Sequence, residues 1–354
     1  MKVCFFGPYV MEQMNSLLKK KLELQNIDVV ECKEEIGNRL VSLIPAYVKL
    51  FFRHRKLDYD VMIIPRWRGS LAIPLAKIIC RKPIVFYSYA SQYDILVTDR
   101  KLFKSNSLRA KLVRWWYKFS LKYSNVIIKE SDADIKYNTE HFNTSKTKFQ
   151  RLFISADESM FPACEFHIPK NSFTVLYFGT FVPLHGVENI IEAAKILSEN
   201  NEIVFKICGE SEEKKEFENL AKKYDLKNVE FLGFVEQQAL LEEIKESDVC
   251  LGIFGNEERS SRVVTNKIYQ ILCSQKPLIT MNSEAVKEIG LNNKENCILI
   301  EKNNPEKLAE AIILLKNNLE LSKKIAESGR TLFVEKLSLE KTSIQLREIL
   351  QKLV

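Results

Sequence analysis

The stretch Tyr177-Phe178-Gly179-Thr180-Phe181-Val182-Pro183-Leu184-His185-Gly186-Val187-Glu188 decides how this chain of 354 residues is read. Apolar residues lead into Phe178 as a buried strand, two glycines bracket a short loop, and Val187-Glu188 opens a helix. A strand, a glycine loop and a helix in that order form the first half of a βαβ unit. Glycine lets the backbone approach a ligand closely, and a helix start offers unpaired N–H groups to an anion. His185 stands just before that helix and can donate a hydrogen bond to phosphate. A plain strand-to-helix turn carries the same pattern, so the flanking segments have to decide.

Downstream the rhythm repeats. Strands read at Phe173–Phe178, Ile203–Cys208, Val229–Leu232, Val249–Phe254, Pro277–Thr280 and Cys297–Ile300. Helices read near Val187–Glu199, Glu212–Tyr224, Gln237–Glu246, Asn266–Ser274 and Pro305–Asn317. Upstream, a polar stretch from Asp157 to Ser172, with Pro162 and Pro169, reads as a linker. Before it, strands read at Lys2–Phe6, Ile27–Cys32, Asp60–Ile64, Pro83–Tyr87, Asn125–Lys129 and Phe149–Ile154. A helix carrying Met14, Leu17, Leu18 and Leu22 at the 3.6-residue period follows the first of them. The pattern predicts an α/β protein with two doubly wound parallel sheets, over residues 1–160 and 170–337. A C-terminal helix of about residues 338–354 can pack back on the first domain. Ligands of such sheets bind beyond the carboxyl ends of the strands, here the loops after Phe6, Tyr87, Phe178, Cys208, Leu232 and Phe254.

Composition narrows the class. Hydrophobic residues make up 46% and charged residues 28%, which suits a globular protein with proper cores. The 8 cysteines are scattered, without a Cys-x-x-Cys pair or a histidine at ligand spacing, and read as buried thiols in a reducing compartment. The N-terminal apolar run is too short for a signal peptide, and no stretch approaches the roughly 20 apolar residues that span a bilayer. The expected place is the cytoplasm, with possible peripheral contact at the inner face of the cell membrane. No Gly-x-Gly-x-x-Gly follows the first strand and there is no Walker loop, so the dehydrogenase and P-loop readings fail. Residues 1–165 carry 28 Lys and Arg against 17 Asp and Glu, a net +11, whereas the remainder is net −4. A basic first half attracts an anionic partner or is simply a solvated cationic surface.

A second stretch, Ser261-Arg262-Val263-Val264-Thr265-Asn266-Lys267-Ile268-Tyr269-Gln270, places a capping residue, Thr265 or Asn266, before a helix with Lys267 in its first turn. A cap, exposed N–H groups and the cations Arg262 and Lys267 make a diphosphate cradle. Gln270, one turn in, can reach a ribose hydroxyl. In the first half, Ser91-Gln92-Tyr93-Asp94-Ile95-Leu96-Val97-Thr98-Asp99-Arg100 follows a strand, so it is expected at the ligand end of the sheet. Asp132-Ala133-Asp134 has the spacing of a metal-binding Asp-x-Asp but opens a helix, where acids meet the helix dipole, and no metal is expected there. Arg109 to Phe119 reads as a basic, aromatic amphipathic helix, and a second basic cluster spans Lys49–Lys56. Such helices lie on anionic membranes or turn one face to the core.

These stations resemble glycosyltransferase family 4 of the GT-B class. The run Phe178 to Val187 looks like that family's "GxxxxxKG" loop, and Asn266-Lys267-Ile268-Tyr269-Gln270 with Lys276-Pro277-Leu278-Ile279-Thr280 looks like its "NK-x-x-E…GKPVI" segment. Cys208-Gly209-Glu210, Phe231-Leu232-Gly233-Phe234-Val235 and Ser247-Asp248-Val249 match its intervening stations in order. Ser91 to Arg100 resembles a "SLYDTLVxDR" stretch of one branch. There are departures: Thr180 and His185 stand where arginine and lysine are usual, Arg262 and Gln270 replace an acidic pair, and Gln275 replaces glycine.

The resemblance implies two Rossmann-like domains facing a cleft, and a retaining, metal-independent transferase using a UDP- or GDP-linked sugar. Asp94, His185 and Lys267 would be catalytic. Donor binding would fall to Gly7, Gly179, Thr180, Gly209, Gly233, Phe234, Val235, Arg262, Asn266, Lys267 and Gln270. Tyr9, Tyr93, Asp94 and Arg100 would form the side of a glycan or lipid-linked acceptor. Neither a cofactor nor nucleic acid is implied. The lost acids leave room for a catalytically silent binding subunit, and the same fold also serves nucleotide-sugar epimerases.

Overall fold

The computed structural model describes residues 1–7, 13–34, 43–65, 69–169, 171–211 and 213–354. The chain divides into two units, Met1–Ile154 with Leu339–Val354, and Ser155–Ser338. In the first, strands and helices alternate as β1 (Lys2–Gly7), α1 (Gln13–Leu24), β2 (Asp28–Lys33), α2 (Leu43–His54), β3 (Val61–Ile64) and α3 (Gly69–Ile79). They continue as β4 (Ile84–Tyr87), α4 (Leu108–Tyr123), β5 (Val126–Lys129), α5 (Asp132–Phe142) and β6 (Phe149–Arg151). The second runs β7 (Phe173–Phe178), α6 (Val187–Ile196), β8 (Ile203–Cys208), α7 (Lys214–Lys223), β9 (Val229–Gly233) and α8 (Gln237–Glu246). It closes with β10 (Val249–Leu251), α9 (Asn266–Cys273), β11 (Leu278–Met281), α10 (Glu284–Glu288), β12 (Ile298–Ile300), α11 (Pro305–Asn317) and α12 (Leu319–Leu332). The last helix, α13 (Leu339–Gln351), belongs to the first unit, where it packs on α1 and Gln25 Nε2 donates to Ser343 Oγ at 2.8 Å.

All pairs of named strands are parallel. Their buried, nearly continuous apolar faces, such as Val61–Ile64 and Ile84–Tyr87, explain this, because only a sheet covered by helices on both sides hides them. The first sheet has the order β2-β1-β3-β4-β5-β6 and the second β12-β11-β10-β7-β8-β9. The second is the Rossmann order, in which the chain winds outward from β7 one way and from β10 the other. The strand order reverses between these two neighbours, and such a switch point is where doubly wound sheets hold ligands.

Strand ends depart from the sequence reading where the ladder is interrupted. Beyond Arg151 in β6, Leu152 N still donates to Lys129 O, but the carbonyls of Leu152 and Phe153 accept from Tyr89 Oη and Lys21 Nζ. Named strand β10 ends at Leu251; Gly252 N and Ile253 O still bond to β11, and beyond them Phe254 N donates to His185 O at 3.0 Å, tying the β10 loop to the β7 loop. The stretch Asp157 to Ser172, read as linker, falls within the second unit, which begins at Ser155; Cys164 N donates to Ser274 O and Arg330 Nη2 pairs with Glu158 at 2.7 Å. All eight cysteines are free, and burial pushes the thiols of Cys32 and Cys250 up to about 11 and those of Cys208, Cys273 and Cys297 up to about 12.

Lys21 on α1 is fully buried, with its ammonium donating to Phe153 O at 2.8 Å, and burial lowers its pKa to about 7. Below about pH 7 folded and unfolded chains both carry the charge, and the cost of burying it is fully present. From there to the ordinary lysine value of 10.5 the unfolded chain binds more protons, so stability rises with pH. Urea titrations of the wild type and Lys21→Met should therefore differ by up to about 1.4 kcal/mol per pH unit across that window, with the slope absent from the variant; parallel curves would disprove it.

Candidate functional site

The switch point between β7 and β10 is built from glycine backbone. Gly179 (φ 136°) ends β7 and its N–H donates to Cys208 O at 3.0 Å. Gly209 (φ 151°) follows β8, donates to Gly233 O at 2.7 Å, and has no room for a side chain, since a Cβ would strike the carbonyl oxygen of Gly179. Gly209 and Gly233 pack three neighbouring loops together. The chain then makes a short 3-10 turn, Pro183–His185, and closes it at Gly186 in the left-handed region (φ 63°). A Cβ on Gly186 would meet the backbone of Phe254 and Gly255, so the β7 and β10 loops lie backbone to backbone.

Into this frame α9 projects Lys267. Its side chain is 4% exposed, its Nζ lies 3.7 Å from the centroid of the Tyr177 ring, and it has no hydrogen-bond partner. Burial alone drives its pKa well below the lysine range. A Cβ on Gly179 would sit 3.0 Å from that Nζ, so glycine there leaves the cation its place. His185 is also buried, with Nδ1 2.6 Å from Thr180 O and 3.0 Å from Tyr177 Oη. A carbonyl only accepts, so the proton on Nδ1 is committed to Thr180 O. The ring can donate to an anion only through Nε2, with a second proton. Burial, then the Lys267 ammonium, and also Arg259, hold the His185 pKa well below its ordinary value. The expected role of His185 as a ready phosphate donor is thereby conditional on an anion arriving first.

The start of α9 completes the picture. Thr265 is the N-cap, yet its side chain makes no capping bond and its Oγ1 has no partner. By contrast Ser107, Ser131 and Asn304 cap α4, α5 and α11 by accepting from the third residue on. Ile268 N donates to Thr265 O at 3.0 Å, while the N–H groups of Asn266 and Lys267 before it have neither an intrahelical partner nor a side-chain cap. Arg262 and Gln270 are buried, Val235 is half-buried and Phe234 is 72% exposed. A helix end with free amides and an uncompensated lysine forms an electropositive site suited to an anion.

Of the residues singled out from the sequence, Gly179, Thr180, His185 and Lys267 come together here. Tyr177 and Arg259 join them without having been singled out, and Thr265, read as a cap, brings a hydroxyl without a partner. Tyr177 reads as one more apolar strand residue, and only the fold reveals that its ring faces a cation.

The first-unit candidates have other surroundings. Asp94 is buried in a π-helical turn, Asp94–Asp99, with its N–H donating to Ser91 Oγ at 2.8 Å and its carbonyl accepting from Thr98 Oγ1 at 2.8 Å. It faces the buried Lys129, whose Nζ is 2.9 Å from Asp134. Burial alone would lower the Lys129 pKa, but Asp134, then Tyr117 and Asp94, raise it above the ordinary range. Tyr93 packs edge-on against Phe142, and Arg100 is exposed. Gly7 ends β1 against Ala72, while Tyr9 lies outside the described residues. Of the Asp-x-Asp pair, Asp132 is matched with Arg151 and Asp134 with Lys129. Among the described residues no group of three His, Cys, Asp or Glu could hold a metal, and no helix is long and apolar enough to cross a membrane.

Comparison with known proteins agrees with this architecture. Residues 165–332 match the family model "Glycosyl transferases group 1". An uncharacterized glycosyltransferase of Methanocaldococcus jannaschii is 32% identical over 178 residues, 50% of this chain and 48% of that protein. The chain thus spans about half the length of that relative. A second uncharacterized glycosyltransferase of the same organism is 23% identical over 316 residues, 86% of this chain and 78% of the relative. Among solved structures, the Anabaena protein HepE in complex with UDP-glucose superposes with a TM-score of 0.78 at 16% identity, covering 100% of both chains. The fold is therefore GT-B, with two Rossmann-like units, and residues 165–332 are similar to the glycosyl transferases of group 1.

Proposed function

We propose that this chain is a retaining, metal-independent glycosyltransferase that moves a sugar from a UDP- or GDP-linked donor to a hydroxyl of a glycan or lipid-linked acceptor. The observation that carries the reading is Lys267, a buried ammonium without a counter-ion beside the uncapped start of α9. A buried unpaired charge is costly, and a protein keeps one where a ligand supplies the missing charge. A diphosphate does so, and in transfer it is the leaving group on which negative charge grows. Lys267, Arg262 and the α9 amides would stabilise that charge without a metal. Gln270 would meet the ribose as a neutral hydrogen-bonding group, and Phe234 and Val235 would border the base. Asp94 would orient the sugar or the acceptor hydroxyl. The eight unpaired cysteines support a reducing cytoplasm. The complex of HepE with UDP-glucose makes UDP-sugars the first donors to try.

Arg262 and Gln270, where the resembling family has acids, favour one second reading, a catalytically silent GT-B binding subunit. Calorimetry with UDP and GDP separates the two, because a subunit that has lost the donor site binds neither.

Three outcomes follow from the state of Lys267. Lys267→Ala should weaken UDP binding about 10- to 100-fold, the worth of a hydrogen bond between charged groups, and abolish donor hydrolysis and transfer. The same variant should melt no lower than the wild type without ligand, since removing the cost of a buried unpaired charge offsets the lost contact with the Tyr177 ring; full activity would refute the assignment. Because burial lowers the Lys267 pKa and an anion beside it raises it again, UDP binding should take up protons at pH values between the ligand-free and the bound pKa. Calorimetry in two buffers of different ionisation enthalpy reads this directly, and identical apparent enthalpies would exclude it. Activity should survive EDTA, and a loss restored by a divalent cation would overturn the metal-independent mechanism.

A further inference from the structure

Two basic stretches of the first unit are left unused by the donor site, and they differ in how their charge is balanced. On α2, Glu34 pairs with both Lys49 (3.5 Å) and Arg53 (2.6 Å), and Arg55 lies over the Phe51 ring. Across residues 100–123 there are eight Lys and Arg and no Asp or Glu, and within α4 the side chains of Arg109, Lys111 and Lys118 meet no carboxylate among the described residues.

The helix α4 also has two apolar faces. Ala110, Tyr117 and Leu121 are buried against the unit's core. Leu108, Leu112 and Trp115 recur at i, i+4 and i+7, so they share one line along the helix on the side away from that core. They are 83%, 61% and 56% exposed. Phe119, one turn on, is half-buried against the core, and its ring lies tilted by 38° to that of Trp115 with centroids 5.7 Å apart. Lys111, Lys118 and Lys122 flank the ridge on one side and Arg109 on the other. A protruding leucine and tryptophan ridge between unpaired cations has no counterpart in an ordinary solvated helix, where the outer face is polar.

The geometry points to the outer face of α4 as a docking surface for an anionic lipid bilayer. Leu108, Leu112 and Trp115 enter the boundary between headgroups and acyl chains, and the long basic side chains beside them reach the lipid phosphates. A second copy of the chain is disfavoured as the occupant, because two such faces would bring like charges together. This deepens the membrane contact implied by a lipid-linked acceptor and rests on that part of the proposed function; it needs neither donor nor catalysis, so its failure and the failure of glycosyl transfer are read separately.

The test is co-sedimentation of the full chain with vesicles of equal parts phosphatidylcholine and phosphatidylglycerol, and with pure phosphatidylcholine, in the absence of nucleotide. Binding is expected to the mixed vesicles alone, to weaken with salt, and to shift tryptophan emission to the blue. Lys111→Gln with Lys118→Gln should lower the partition coefficient roughly 25-fold, about five-fold per charge. Leu112→Ser with Trp115→Ser should lower it further, with an unchanged melting temperature because both positions are exposed. Val48→Ser with Phe52→Ser on α2 should have no effect. Equal binding to both vesicles, binding untouched by the α4 variants, or a dimer in solution that those variants dissociate would each overturn the assignment.

Discussion

The site in the second unit rests on backbone packed directly against backbone at the parting of β7 and β10. Gly209 lies on the carbonyl of Gly179, and Gly186 on the chain at Phe254 and Gly255. No side chain fits between them. These contacts set the distance between the loops, and that distance decides where α9 begins and where its lysine goes. A single methyl group at Gly209 would push apart the loops that frame Lys267.

Two buried lysines show what the protein does with charge. Lys129 in the first unit is enclosed with Asp134 at 2.9 Å and with Asp94 nearby, so its charge is answered inside the fold. Lys267 in the second unit is enclosed by an aromatic ring, a glycine and a histidine that its own charge helps to keep neutral. The first arrangement is structural, holding the π-helical turn of Asp94 against β5 and α5. The second leaves a deficit of negative charge, which is what a site for a diphosphate requires. Asp94 belongs to both accounts, as a counter-ion of Lys129 on the one hand and as the nearest acid to the expected acceptor loop in sequence on the other.

Most of the architecture was legible in the residues. Every strand was anticipated, and the ends of β7, β8, α8 and α11 agree to the residue, because apolar runs bounded by glycine, proline and capping side chains specify their own limits. The misjudged ends, those of β6 and β10, are places where a distant group takes over the ladder bond: Lys21 and Tyr89 at β6, His185 at β10. Such partners lie far away in sequence, and no local pattern announces them. The reading of Thr265 as a cap likewise found the right residue but not its free hydroxyl.

By itself, then, the sequence determined two alternating α/β series, the glycine loop after Phe178 with His185 beside it, and Lys267 in the first turn of a helix, because periodicity and glycine act locally. Only the tertiary structure decided that Lys267 is unpaired, that Tyr177 faces it, that the Asp-x-Asp acids are consumed by Arg151 and Lys129, and that α4 turns a second apolar face outward. Burial and pairing are properties of what surrounds a side chain, and those neighbours are assembled from strands and helices tens of residues apart.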